Sequence, residues 1–432
     1  MDNVNSSATE FTRTPSLADA SRIWAKIGFL SFGGPVAQIA LMHRLMVDEM
    51  KWLTEKEYLN ALSFCMLLPG PEAMQLATYA GWRLHGVKGG LIAGLLFVIP
   101  GAAIIMLLAG VYASLGNVPL VASLFLGIKS AVLVIVIEAL LRVAGKSLKQ
   151  TRHRVIALLS FVGIFFLDLP FPVIIIIAGC LGMIGNPATD NSNITTPVSN
   201  VGIRKLTLTI GVMLGIWWAP LLVIKTFSNQ SILLDIGQFF SQLAVVTFGG
   251  AYAVLAYMGQ DVVNHWGWLS AGEMMDGLGL AETTPGPLIL VTEFVGYIAA
   301  YREGGIALGI AGAMVTLWVT FVPCFLWIFA GAPYIEWICA QPRLKGALSS
   351  ISAAVVGVIL NLSLWFSIHV LFAHVTRQTY GFLTVWQPDI QTIDWRVIGL
   401  TVLCGYLTFK LQWAIQRVLI IAALSGAVVS FV

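Results

Sequence analysis

Two Pro-Gly-Pro tripeptides, Pro69-Gly70-Pro71 and Pro285-Gly286-Pro287, interrupt apolar stretches at about 57–84 and 273–301. Each stretch opens on a capping box, Thr54-Glu55-Lys56-Glu57 or Ser270-Ala271-Gly272-Glu273, whose hydroxyl and carboxylate satisfy the first free amides of a helix. Proline lacks a backbone donor and collides with the preceding turn, so two prolines around glycine end one helix and start another. The start of a half-helix carries unpaired amides and a positive partial charge, which suit a small anion. Two such breaks predict N-termini converging on one anion site. The alternative is a pair of proline kinks that only shape packing.

A second kind of break, Phe32-Gly33-Gly34-Pro35 and Phe248-Gly249-Gly250, interrupts the first apolar element of each half. It either lines the same cavity or lets helices approach closely through small residues. Gln38, one turn after Pro35, is placed to donate to an oxyanion, and Thr283 and Thr284 offer hydroxyl donors before Pro285. Ionisable residues inside apolar spans are costly and mark function by default. Lys129 has no carboxylate three or four residues away, so its partner is either a bound dianion or an acid on another helix. Glu72, directly after Pro71, Glu282 and Glu293 are candidates for gating or proton carriage, with Glu72 also readable as a helix-start carboxylate. His43 and Arg44 either attract anions at a vestibule or sit at an interface, and Arg83 and Arg302 close the two broken stretches at matching positions.

The positioning elements follow from composition. Of 432 residues, 58% are hydrophobic and 10% charged, against about 25% charged in soluble domains. Lipid can solvate that apolar surface, so an all-α polytopic membrane protein is predicted. The net charge of +3 lacks a polybasic or acidic run, so no nucleic acid partner is expected. The first 20 residues are polar and do not read as a cleavable signal. Cys65, Cys180, Cys324, Cys339 and Cys404 read as apolar packing residues. There is no HExxH, P-loop, GxSxG or metal-spaced His/Cys cluster, so no cofactor, metal or enzymatic activity is expected. Without a nucleotide site, any transport would have to draw on an ion gradient. Apolar runs of about 20 residues predict spans near 89–113, 119–142, 206–224, 233–257, 304–331, 344–372, 396–411 and 413–432, with a short helical pair at 155–167 and 171–184.

The chain repeats itself. Phe32-Gly33-Gly34, Trp52-Leu53, Glu57, Leu62 and Pro69-Gly70-Pro71 recur 216 residues later, Gly89-Gly90 matches Gly304-Gly305 at 215, and Pro100 and Ala131-Val132 recur at 223. This divides the chain into a cytoplasmic tail at 1–23, a first repeat at 24–185, a polar linker with a connecting span at 186–239, and a second repeat at 240–432. If all six elements of each repeat cross, the connecting span inverts the second half. Arg142, Lys146, Lys149, Arg152 and Arg154 place their loop in the cytoplasm. Arg44, Lys51 and Lys56 would then lie outside, against the same rule. The loop near Asn117 lacks basic residues while its counterpart carries Arg343 and Lys345, and these opposite biases favour inversion with the N-terminus inside; if the Pro-Gly-Pro elements are re-entrant, the halves become parallel instead.

At these residues the chain resembles the chromate ion transporter family in its long, two-domain form. The resemblance rests on Phe32-Gly33-Gly34-Pro35 with Gln38 and His43-Arg44, Trp52-Leu53 and Leu67-Leu68-Pro69-Gly70-Pro71-Glu72. In the second half it rests on Phe248-Gly249-Gly250, Trp268-Leu269, Pro285-Gly286-Pro287 and Ala353-Ala354-Val355-Val356-Gly357-Val358-Ile359. It implies export of chromate from a bacterial cytoplasm through the inner membrane, driven by membrane potential or a proton gradient and conferring resistance. Sulfate, alike in charge and shape, is the alternative cargo. An uncoupled channel or a lipid-acting membrane enzyme are the competing classes, and the oligomeric state is open, a homo-oligomer included.

Overall fold

The structure is a computed structural model that describes residues 15–116, 118–184, 203–227, 231–248, 251–381 and 383–431. It is helical almost throughout, with one antiparallel pair of strands among the described residues. Five helices are long and apolar enough to cross a membrane: Glu72–Leu115, Pro119–Ser147, Ile203–Phe227, Leu288–Cys339 and Pro342–Leu371. The protein is a multi-pass membrane protein.

The first repeat runs α1 (Leu17–Leu30), α2 (Gly34–His43, extended by a π turn to Glu49), α3 (Glu55–Cys65), α4 (Glu72–Leu115), α5 (Pro119–Ser147), α6 (Thr151–Phe165) and α7 (Phe171–Ile184). The connecting helix is α8 (Ile203–Phe227). The second repeat runs α9 (Ser231–Val246), α10 (Ala251–Gln260), α11 (Ala271–Thr283), α12 (Val291–Gly331), the short α13 (Ile335–Ala340) and α14 (Pro342–Leu371). Strands β1 (Val375–Tyr380) and β2 (Leu383–Pro388) follow, then α15 (Trp395–Gly405) and α16 (Ile415–Phe431). Both capping boxes form as the sequence predicts, with Thr54 and Ser270 accepting from Glu57 and Glu273 amides.

The broken elements fold back on themselves. Arg83, near the end of the half-helix after the first Pro-Gly-Pro, pairs with Glu57 at the start of the half-helix before it, at 3.3 Å. Arg302 and Glu273 repeat the pair at 2.5 Å in the second repeat. Collinear half-helices would hold groups so far apart in sequence roughly 40 Å from each other, so each Pro-Gly-Pro is the tip of a V. The first element of each repeat is a V as well. Trp24 of α1 meets Trp52 beyond α2 with ring centroids 5.8 Å apart, and Phe239 and Phe240 of α9 meet Trp268 at 5.6 and 6.5 Å. Straight crossings, expected for the first apolar elements, are therefore corrected to two re-entrant Vs per repeat.

Past each second V, α4 and α12 turn sharply on a glycine. Gly86 has φ 62° and ψ −153°, and Gly305 has φ 70° and ψ −161°, a left-handed region that side chains with a Cβ avoid. These hinges correspond to one another, which corrects the expected match of Gly89-Gly90 with Gly304-Gly305. The frame thus widens from 216 to 223 residues in two steps, each close to one helical turn.

The repeats then exchange partners. Helices α6 and α7 of the first repeat pack on α14 of the second, while α15 and α16 of the second pack on α5 of the first. The long helices α4 and α12 lie against each other, flanked by α1 and α9 respectively. The β hairpin occupies the segment between the apolar runs 344–372 and 396–411. Arg377 of β1 reaches Asp168 at the α6–α7 turn at 2.5 Å and lies over the Trp386 ring. Together they roof a half-open polar cavity of about 360 Å³ lined by Asp168, Gln260, Asp261, Asn361 and Trp386.

Candidate functional site

The tips of the Vs meet across the repeats. The Gly286 amide donates to Ser31 O at 2.9 Å, and the Gly70 amide donates to Thr247 O at 2.9 Å. Ser31 and Thr247 end α1 and α9, one residue before the Phe-Gly-Gly breaks, and both pairs keep the 216-residue frame. The Pro-Gly-Pro tip of one repeat is thus held by the Phe-Gly-Gly tip of the other, twice. Gly70 and Gly286 have φ of 117° and 95°, so glycine is required to present those amides. The Pro-Gly-Pro tips are buried, against α12 and α4. A Cβ at Gly70 would lie 2.9 Å from Cys324 Sγ, and one at Gly286 would lie 3.6 Å from Gly101 Cα. Gly101 and Cys324 are themselves related by 223 residues, and Gly101 sits at mid-length of the long arm of α4.

Within the tripeptides themselves no amide is free, and the unpaired amides of each half-helix start lie in the turn that follows, ahead of Gln75 and Leu290. Pro69, Pro71, Pro285 and Pro287 have none to offer, and those of Gly70 and Gly286 are taken by carbonyls. Gln38 is a brace rather than an open donor. Its Nε2 donates to Gly286 O at 2.6 Å and Ser31 O at 3.1 Å, leaving Oε1 unpartnered. Gln75 braces the other tip through Pro69 O at 2.7 Å. Thr283 and Thr284 donate to Leu280 O and Ala281 O on their own helix. Gly33 and Gly34 adopt left-handed φ of 85° and 75°, and Pro35 sits in the first turn of α2. Gly249 and Gly250 lie outside the described residues.

Of the two partners open to Lys129, the structure supplies the acid on another helix. Lys129 Nζ of α5 lies 3.3 Å from Asp276 Oδ2 of α11. Tyr112 of α4 donates to the same oxygen at 2.8 Å. Asp276 and Tyr112 are not singled out by the sequence reading. The rule that marks Lys129, an ionisable side chain within an apolar stretch, applies equally to Asp276 and is the signal that finds it. Glu138 pairs with Arg142 one turn on.

The remaining candidates separate by surroundings. His43 lies between Asp48 at 3.5 Å and Glu55 at 2.6 Å, and Arg44 pairs with Glu49 at 3.5 Å. Both are held by local acids rather than facing an open vestibule. Glu72 is the first residue of α4 and partly buried. Glu282 is buried and accepts from Tyr252 Oη at 2.7 Å. Glu293, in the first turn of α12, is fully buried, and neither carboxyl oxygen has a hydrogen-bond partner among the described residues. No group of three or more potential metal-binding side chains occurs among the described residues.

Fold and site together define a multi-pass membrane protein whose two repeats clasp one another through broken helices. The family model described as Chromate transporter matches residues 18–183 and again 234–430, and the chain belongs to that family. It is 29% identical to a chromate transport protein of Pseudomonas aeruginosa, over 93% of this chain and 89% of that one. It is 28% identical to a probable chromate transport protein of Synechococcus elongatus, over 80% and 83%. A chromate transport protein of Cupriavidus metallidurans is 26% identical over 83% and 84%. No solved structure matches the chain.

Proposed function

We propose that this protein is a secondary transporter that exports chromate across the bacterial inner membrane, driven by membrane potential or a proton gradient, and so confers chromate resistance. The observation that carries this reading is the reciprocal clasp of the four tips, in a chain whose two halves both match the family. A buried clasp made of two equivalent hydrogen-bonded pairs is a barrier that can part on one side at a time. Parting a pair frees the Gly70 or Gly286 amide at a half-helix start, where a dianion is favoured. Gly33, Gly34 and Pro35 shape the tip that faces Gly286, Gln38 braces that contact, and Thr283 and Thr284 lie on the approach. Glu293, buried with neither carboxyl oxygen partnered among the described residues, is a proposed gating group. Glu72 and Glu282 flank the tips as gating groups, His43 ties α2 to Glu55 at the start of α3, and Arg44 pairs with Glu49 within the π turn.

Everted vesicles containing the protein are expected to take up labelled chromate saturably, with loss of uptake on adding a protonophore. Non-saturating flux would make the protein a channel. Competition by sulfate stronger than by unlabelled chromate would make sulfate the cargo.

The Vs support an inverted arrangement. With the first two elements of each repeat turning back, the long arm of α4, α5, α6 and α7 remain, an even number, and α8 then delivers the second repeat upside down. Arg44, Lys51, Lys56, Arg83 and Lys88 now share the side of the basic α5–α6 loop, which removes the conflict with the positive-inside rule. Single cysteines placed in loops 143–153 and 373–395 of a cysteine-free variant are expected to label from opposite faces, the first from the cytoplasm. Labelling from one face would reject inversion.

A further inference from the structure

Asp276 is in an unusual position for a counter-ion. Its residue is 3% exposed. Oδ2 carries the whole load, facing Lys129 Nζ and accepting from Tyr112 Oη. Oδ1 is buried with no hydrogen-bond partner among the described residues. Lys129, by contrast, is partly open, its side chain 28% exposed. The ion pair therefore joins a partly exposed cation to an enclosed acid. The charged and titratable groups around Asp276 are Lys129 from α5, Tyr112 from α4, Glu273 one turn earlier on α11, and Arg302 from α12, which holds Glu273. Glu273 is already committed to Arg302 and to its capping box, so Lys129 has Asp276 as its acid.

A lysine cannot serve a buried carboxylate and an incoming dianion equally. If the anion took Lys129 while Asp276 stayed ionised, an uncompensated charge would be left inside the protein, at a cost of several kcal/mol. One proton on Oδ1 removes that cost. The carboxyl becomes neutral, Oδ2 still accepts from Tyr112, and Lys129 keeps its charge and is released. We propose that Asp276 is the proton acceptor that releases Lys129 to the transported oxyanion, so that each anion bound there brings one proton with it. This rests on the transport reading above and adds its coupling step. A dianion with one proton carries a single net negative charge, which an inside-negative potential still drives outward, so of the two driving forces this step selects the membrane potential. By linkage, anion and proton tighten one another's binding by the same factor, so one linked proton raises anion affinity by up to about tenfold per unit of acidification.

The experiment is chromate binding to the purified full-length protein between pH 6 and 8, with proton uptake measured in buffers of different ionisation enthalpy. Chromate's own protonation is read from a protein-free titration and subtracted. Wild type is expected to take up about one proton per chromate beyond that background. Asp276→Asn, which holds the neutral state permanently, is expected to take up none and to bind with an affinity nearly independent of pH. Lys129→Gln/Asp276→Asn, which removes both charges together, is expected to fold and to bind at least tenfold more weakly than Asp276→Asn. Equal proton uptake in wild type and Asp276→Asn overturns the proposal, as does wild-type affinity in the double variant. Should Asp276→Asn not fold, the wild type alone decides, because no uptake beyond background is also disproof. Vesicle flux by the wild type separates the two readings: saturable chromate flux with no linked proton rejects this coupling step and leaves the transporter standing.

Discussion

Lys129→Gln is expected to lower the stability of the solubilised protein by about 3 kcal/mol, the low end of the range for breaking a buried pair. The lysine itself is partly exposed, so losing it forfeits little solvation. The loss comes from Asp276, enclosed and held only by Tyr112, and is largest at alkaline pH, where no proton arrives to neutralise the acid. Adding Asp276→Asn should recover most of the difference, since an amide and a carboxamide of similar shape replace two charges at once. The measurement is the apparent melting temperature in detergent for the two single variants and the double. If Lys129→Gln melts with the wild type, the pair makes no contribution to the fold, and the enclosed state of Asp276 is wrong. The double variant also separates fold from function, because it should be stable while lacking the cation offered to the anion.

The second large effect is expected at Gly101. A Cβ there would overlap the Pro285 carbonyl oxygen, which belongs to a tip pinned between Ser31 and Gln38 and cannot swing aside as a flexible side chain would. Gly101→Leu should therefore displace the Pro285-Gly286-Pro287 tip, break the Gly286–Ser31 hydrogen bond, and cost about 3 kcal/mol or more. Its counterpart offers the control. Cys324 already faces the other tip through its sulfur, so Cys324→Ala removes one atom and should cost about 1 kcal/mol. Size-exclusion profiles and melting curves compare the two. Equal tolerance at both positions would mean that the tips are not seated on α4 and α12, and the clasp would lose its structural basis.

Much of this protein is legible locally. Thr54 and Ser270 announce their helices because a capping box is satisfied within four residues, and the Pro-Gly-Pro and Phe-Gly-Gly tripeptides announce breaks because proline lacks a donor and glycine tolerates positive φ. The repeat frame is visible because both halves spell the same local instructions. Glu57 and Arg83 are both visible too, yet their pairing is not. A break states that a helix stops, and carries no information on the angle at which the next one leaves. That angle is set by what each arm can bury and by the ion pair that closes the V.

The same division holds at the centre. By itself the sequence determined the membrane class, the positions of the four tips, the caps before two of them, and the lone cation at Lys129. Only the tertiary structure decided that the tips clasp across repeats, that Gln38 braces carbonyls instead of awaiting an anion, that Asp276 answers Lys129, and that strands roof the α6–α7 turn. The physical reason is that helix stops and starts are settled by backbone chemistry within one or two turns. Satisfying a buried amide, carbonyl or charge in a bilayer instead requires a partner, and that partner comes from whichever distant segment packing brings alongside.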